Sequence, residues 1–198
     1  MQANQADLSF FADLDALNHA FIDLLIAPGC VRAASGLGLH PAIIEQLRRL
    51  SSAERDFIAA SPGLLACFEP AADRQNLLIE DSARPVDVSV NEWRTSARLF
   101  VAGLLTWMGR LEAQHQPFCA CSTVVDTCDP RGRGLFDLRH IGASADYAVR
   151  RLRARFTQHP HFWSDMIRSA RSENEELRAL TQMTVIPFVF AEACPAVR

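Results

Sequence analysis

The sequence FFADLDALNHAFIDLL at residues 10–25 determines the fold class. Its large apolar side chains return at alternating intervals of four and three residues, which places them along one face of an α-helix. This apolar row consists of Phe10, Leu14, Leu17, Phe21 and Leu24. Pro28 and Gly29 follow at the point where such a helix would end.

A helix of this length is marginally stable by itself, so its apolar row needs a second helix to cover it. The covering helix can come from the same chain or from a second subunit. We predict that the row at residues 10–24 forms an oligomer interface, in a homodimer or in a heteromeric regulatory complex.

The same spacing recurs over residues 90–114, in a predicted helix that offers a further interface. Its apolar face contains Trp93, Ala97, Phe100, Leu104, Trp107 and Leu111. Ser89 and Glu92, at the start of this helix, have the spacing of a capping box. No segment alternates clearly with a period of two, so no strand is predicted.

These patterns predict an all-α fold, a helical bundle of orthogonal or up-down type. Residues 1–68 and 89–198 are predicted helical segments, and residues 69–88 connect them. Two separate units and one continuous domain are both compatible with this division. Residues 115–143 lack a sustained period and are predicted to form a long irregular loop.

Shorter signals divide the rest of the chain. Pro41 suits the first position of a helix, and Ser51 with Glu54 predicts a capping box for the next one. Together these two helices superficially match a helix-turn-helix, but Arg55 is the only basic residue of the second, so a helical hairpin is favoured. Two further helices are predicted, one over 144–158 and one over 160–185 that ends before Pro187.

Composition excludes several classes of protein. The chain has 198 residues, 49% of them hydrophobic, and a formal net charge of −3, so it is neither a disordered chain nor a general binder of polyanions. Its most apolar stretch, Leu99 to Met108, is too short to cross a bilayer. The acidic N-terminal segment does not look like a secretory signal, so we expect a cytoplasmic protein without a membrane partner.

Four arginines form the densest basic run of the chain. They are Arg150, Arg151, Arg153 and Arg155, all within the predicted helix at 144–158. Guanidinium groups on one helix face are suited to phosphate contacts with nucleic acid. The alternative is a solvated helix face, or a face that neutralises the acidic N-terminal half of the molecule.

The loop at 115–143 contains Cys119, Cys121 and Cys128, with histidines nearby. Structural zinc sites usually present cysteine pairs two to four residues apart, and the spacing here differs from that pattern. We therefore predict no metal or other cofactor, and treat ordinary packing as the leading interpretation of these cysteines. The sequence contains no recognised catalytic motif.

Residues 13–68 resemble the flagellar transcriptional regulator FlhD, the partner of FlhC. The positions that carry the resemblance are Leu17 and Asn18, Phe21, Ala33, Leu37 to Leu39, Leu47, Leu50 and Ser51, Glu54, Ile58 and Ala59, Leu64 and Leu65, and Phe68. The resemblance implies an α-helical, dimeric subunit of a heteromeric DNA-binding activator. The matching positions are scaffold positions, and residues 89–198 have no counterpart.

The first expectation for function is therefore a transcriptional regulator or regulatory subunit that acts through helical dimerisation, with DNA contact through the four arginines. A helical adaptor without a nucleic-acid role is the alternative. An enzyme would be a third kind of protein, and its site would have to lie in the loop at 115–143.

Overall fold

The computed structural model describes residues 5–30, 36–68, 88–113 and 148–193. Most of these residues are helical, as predicted. The elements with defined bounds are α1 (Gln5–Ile26), α2 (Pro41–Arg48), α3 (Ser52–Ala59), β1 (Ala66–Phe68), α4 (Val88–Ala113), β2 (Leu152–Ala154), α5 (Phe162–Ala170) and α6 (Glu175–Ala193). Both the predicted connection at 69–88, apart from its last residue, and the predicted loop at 115–143 lie outside the described residues.

Helix α1 packs against α2, α3 and α4. Its apolar row faces α4, where the Phe21 ring lies 5.4 Å from the Phe100 ring and the Phe10 ring stacks on Trp107 at 5.5 Å. The Trp93 indole donates a hydrogen bond to the Leu24 carbonyl at 3.1 Å. The row predicted at residues 10–24 therefore finds its covering helix within the same chain.

This packing corrects the predicted oligomer interface. Phe10, Leu14, Phe21 and Leu24 are buried, and Leu17 is partly buried against the same core. Since α4 already covers the row, it is not a free surface for a second subunit. Trp93, Phe100, Trp107 and the rest of the second row are buried for the same reason.

Asn18 is the polar centre of this core and is fully buried. Its Nδ2 group donates to the carbonyls of Ala59, Ser61 and Gly63 at 3.0, 3.3 and 3.1 Å. Its Oδ1 atom accepts from the Leu65 amide at 2.9 Å. One side chain thus satisfies four backbone groups and fixes the segment after α3 to α1.

The helical hairpin of α2 and α3 is built as the sequence predicts. Pro41 is the first residue of α2, behind an N-cap at His40 whose Nδ1 accepts from the Ala42 amide. Ser51 and Glu54 form the complete capping box of α3. Both helices also contact α5, so the hairpin is part of the core and not a separate recognition unit.

The predicted helix at 144–158 is wrong beyond residue 151. Residues 148–151 are helical, but β2 follows directly and pairs antiparallel with β1, with Cys67 opposite Arg153. The Arg155 amide continues the pairing with a 2.8 Å hydrogen bond to the Leu65 carbonyl. Leu152 and Ala154 point into the core, an alternation too short to recognise in the sequence.

The predicted helix at 160–185 is two helices. Helix α5 ends at Ala170, and α6 begins at Glu175 after Asn174, whose Oδ1 accepts from the Leu177 amide at 3.1 Å. Pro187 lies inside α6 and does not end it. A further correction concerns Ser89, which lies within α4 because that helix already includes Val88.

Candidate functional site

Helix α6 rests on the body of the molecule along one edge. Among the described side chains of α6, Val185 and Val189 are buried. They pack on Gly63 so closely that a Cβ there would lie 2.6 Å from a Val189 methyl. The Gln182 amide donates to the Phe57 carbonyl at 2.6 Å. The Arg178 guanidinium lies 4.6 Å from the centre of the Phe57 ring.

The opposite side of α6 exposes large apolar side chains. Leu180 and Met183 are 60% and 64% exposed, and Leu177 and Ile186 are each 43% exposed. Because each residue advances about 100° around a helix, Met183 points about 160° away from the buried Val185. We call Leu180, Met183 and Ile186 the outer row of α6.

Charge is absent from most of this helix. No ionisable residue occurs from Ala179 to Ala191, a run of more than three helical turns. The outer row is therefore not a solvated polar face with scattered apolar residues. A contiguous apolar patch on a protein surface commonly marks a site of interaction with another protein, a membrane or a ligand.

A cleft of about 320 Å³ lies between α5 and the neighbouring side of α6. Its lining residues are His159, Pro160, His161, Phe162, Asp165, Met166, Thr181, Thr184 and Phe188. Phe188 approaches Phe162 edge to face, with centroids 6.1 Å apart, and the His159 ring lies 4.2 Å from Phe188. Rings thus form much of the wall, with a few polar groups among them.

The polar groups of the cleft offer mainly hydrogen-bond acceptors. The hydroxyl groups of Thr181 and Thr184 donate to the carbonyls of Leu177 and Thr181, at 2.9 and 2.7 Å, so their protons are already engaged. One carboxylate oxygen of Asp165 accepts from Arg168 at 2.7 Å. His161 is the N-cap residue of α5 but makes no capping hydrogen bond with its side chain.

The structure separates the four arginines that the sequence groups together. Arg150 is exposed at the end of a helical turn, and Arg153 donates to the Arg150 and Leu152 carbonyls at 3.1 and 2.9 Å. Arg151 is half-buried. They follow a helical turn and a strand, so they do not lie on the single helix over 144–158 that the sequence predicts.

Arg155 is corrected most clearly, because it is only 1% exposed. Its Nη1 group donates to the Leu64 carbonyl at 3.4 Å, and its guanidinium lies 4.9 Å from the Phe156 ring. Its own carbonyl accepts from the Trp163 indole at 3.0 Å. Arg155 is therefore a core residue, out of reach of a phosphate backbone.

Sequence reasoning missed the outer row of α6. A continuous helix over 160–185 would place Leu177 and Leu180 on the same side as Trp163 and Met166, facing the core. The break at 171–174 changes the phase of the helix, so these leucines face outward. The signal was present, since Asn174 followed by Glu175 and Glu176 is typical of a helix start.

Cys119, Cys121 and Cys128 lie outside the described residues. Within the part of the chain that the structure describes, no three His, Cys, Asp or Glu side chains are placed to hold a metal ion. The described helices include none that is both long and apolar enough to cross a membrane.

Comparisons with known proteins do not indicate to which class of protein this chain belongs. No family model matches the chain, and no curated protein or solved structure is significantly similar to it.

Proposed function

We propose that the protein is a helical regulatory subunit or adaptor that assembles as a homodimer through the outer row of α6. The observation that supports this is the exposure of Leu180, Met183 and Ile186 on a helix whose opposite edge is packed on the core. The resemblance of residues 13–68 to FlhD implies a dimeric regulator, and α6 supplies a surface on which such a dimer can form.

The chemistry of α6 favours a second copy of the chain as the occupant. A two-fold axis brings the same surface of both subunits together, so like charges on that surface would oppose association. The outer row lies within the uncharged run from Ala179 to Ala191, and this repulsion is absent there. The helix is about 28 Å long, which gives two antiparallel copies several turns of apolar contact.

Molar mass in solution tests the proposal. Light scattering on the wild-type chain between about 1 and 100 µM should show a rise from monomer to dimer. The double variant Leu180→Glu with Met183→Glu should remain a monomer, because it would bury four carboxylates in the interface. Leu99→Glu is the matched control, since Leu99 is 71% exposed on α4 and should be replaceable without loss of the dimer.

A wild-type chain that stays monomeric throughout this range would contradict the proposal. Equal loss of the dimer in the Leu99→Glu variant would contradict it too, since association would then not depend on α6.

The two forms of the proposal, regulator and adaptor, differ in DNA binding. A regulator should retard duplex DNA, with affinity falling steeply between about 50 and 200 mM salt. Replacing Arg150 and Arg151 with alanine should remove that retardation. An adaptor shows no retardation at low salt. Arg155 is left unchanged in this test, because its removal would damage the core.

A further inference from the structure

From the cleft between α5 and α6 we infer a second site, which binds a small aromatic amine in its ammonium form. The site lies on a different side of α6 from the outer row, and it does not depend on the proposed dimer. At about 320 Å³ the cleft is at the lower end of the volumes of small-molecule sites, so it suits a ligand with a single ring.

The walls of the cleft select an aromatic ligand. Phe162 and Phe188 meet edge to face and His159 packs on Phe188 at 4.2 Å, so three ring systems border the same space. Met166 and Pro160 complete the apolar lining. Ring faces attract both another aromatic ring and a cation above them.

The polar groups select a donor with positive charge. Asp165 carries the only formal charge among the lining residues, and it is negative. Arg168 donates to its Oδ1 atom, and no hydrogen bond to its Oδ2 atom is found among the described residues. An ammonium group can therefore reach a carboxylate oxygen that is still available as an acceptor.

The threonine hydroxyl groups also favour a cationic ligand over an anionic one. Thr181 and Thr184 each donate their proton to a carbonyl of α6, so toward the cleft their oxygen atoms can only accept. A carboxylate ligand would be repelled by Asp165, and among the lining side chains it would find hydrogen-bond donors only at the His159 and His161 rings. An ammonium ligand can donate to the carboxylate and to the hydroxyl oxygens.

An amide NMR titration of the full chain with 2-phenylethylamine tests the inference. At about pH 8 the primary amine carries a positive charge. We expect saturable shifts of the Asp165, Thr181 and Thr184 amides with a dissociation constant of about 1 mM. Phenylacetate, which has the same ring and the opposite charge, should produce no saturable shift at these residues.

Asp165→Asn should weaken the binding of 2-phenylethylamine about fivefold or more, because it removes the carboxylate that accepts from the ammonium group. Glu45→Gln is the matched control, because Glu45 forms an equivalent exposed pair with Arg48 three residues later on α2. It should leave binding unchanged. Both substitutions change exposed or half-exposed carboxylates, so the fold should tolerate them.

Three results would overturn the inference. The first is no saturable shift with the amine, and the second is equal binding of phenylacetate. The third is unchanged amine binding in the Asp165→Asn variant.

Discussion

Helices α1 and α6 are both rich in apolar residues, but the apolar row of α1 is buried and that of α6 is exposed to solvent. The apolar row of α1 is covered by α4, while α2 and α3 pack on its other sides. Helix α6 buries Val185 and Val189 and leaves Leu180 and Met183 in solvent. An apolar row on a helix thus indicates that another surface packs on it, but it does not indicate whether that surface belongs to the same chain. In α1 the packing partner is α4 of the same chain, whereas the outer row of α6 is exposed.

The two helices also differ in the polar contacts that hold them to the rest of the chain. Asn18 of α1 makes four buried hydrogen bonds to the segment at 59–65, and Arg48 donates to the Ile26 and Ala27 carbonyls at the end of the helix. Among the described residues, α6 reaches the hairpin through the Gln182 hydrogen bond and the Arg178 contact with Phe57. Disruption of α1 should therefore affect the whole fold, and disruption of α6 should be more local.

The largest effect is expected from Asn18→Asp. A carboxylate cannot donate to the carbonyls of Ala59, Ser61 and Gly63, and it places a buried charge among them. We expect a loss of about 4 kcal/mol in the free energy of unfolding, measured with urea. Asn91→Asp, at an exposed position of α4, is the control and should change stability little. Comparable stability of the two variants would disprove the role of Asn18.

Gly29→Ala should have the next largest effect. Gly29 has a φ of +85°, and a Cβ there would lie 2.4 Å from the Ser89 carbonyl oxygen, so the end of α1 would separate from α4. We expect a loss of about 3 kcal/mol in chemical denaturation. Gly103→Ala, within α4 and with no atom near its Cβ position, should instead stabilise the protein by about 0.5 kcal/mol. A neutral Gly29→Ala variant would show that the two helices do not approach so closely.

Gly63→Ala tests the attachment of α6. Its Cβ would lie 2.6 Å from a Val189 methyl and 3.4 Å from a Val185 methyl, so α6 must shift outward. We expect a loss of about 2 kcal/mol, with faster hydrogen exchange in α6 than in α1. Gly36→Ala, where the Cβ would meet nothing, provides the control. Faster exchange in both helices to the same degree would mean that they unfold as one unit.

The smallest of these effects concerns Cys30, directly after α1. Burial raises the pKa of its thiol to about 11, against an opposing attraction from Arg48. The unfolded chain loses this proton first, so the stabilising contribution is complete below about pH 9 and is lost as the pH rises toward 11. By pH 10 the wild type should have lost about 1 kcal/mol more than a Cys30→Ala variant. If the free energies of unfolding of the two proteins changed with pH in the same way, the raised pKa of the Cys30 thiol would be contradicted.

The local parts of the fold were predictable from the sequence. Repeats of four and three residues identified α1 and α4, and the capping box at Ser51 and Glu54 located the start of α3. These features depend on neighbours within a few positions along the chain. Only the identity of the covering helix was open, and the contact of Phe21 with Phe100 resolves it within the chain.

The start of α6 after Asn174 was predictable from the sequence, but the face of α6 that lies on the core and the position of Arg155 depend on distant contacts. Nothing near Arg155 in the sequence indicates that the Leu64 and Leu65 carbonyls will draw it into the core. Pro187 misled the prediction because proline usually ends a helix. It is tolerated within α6, where the carbonyl that loses its donor belongs to the exposed residue Met183.

Hydrogen exchange of the wild-type chain, measured by mass spectrometry at protein concentrations from about 1 to 100 µM, tests the contrast between α1 and α6 most directly. We expect exchange of the α6 amides to slow as the protein concentration rises, while exchange of the α1 amides stays constant. Concentration-dependent protection of α1 with an unchanged α6, or no dependence in either helix, would contradict it.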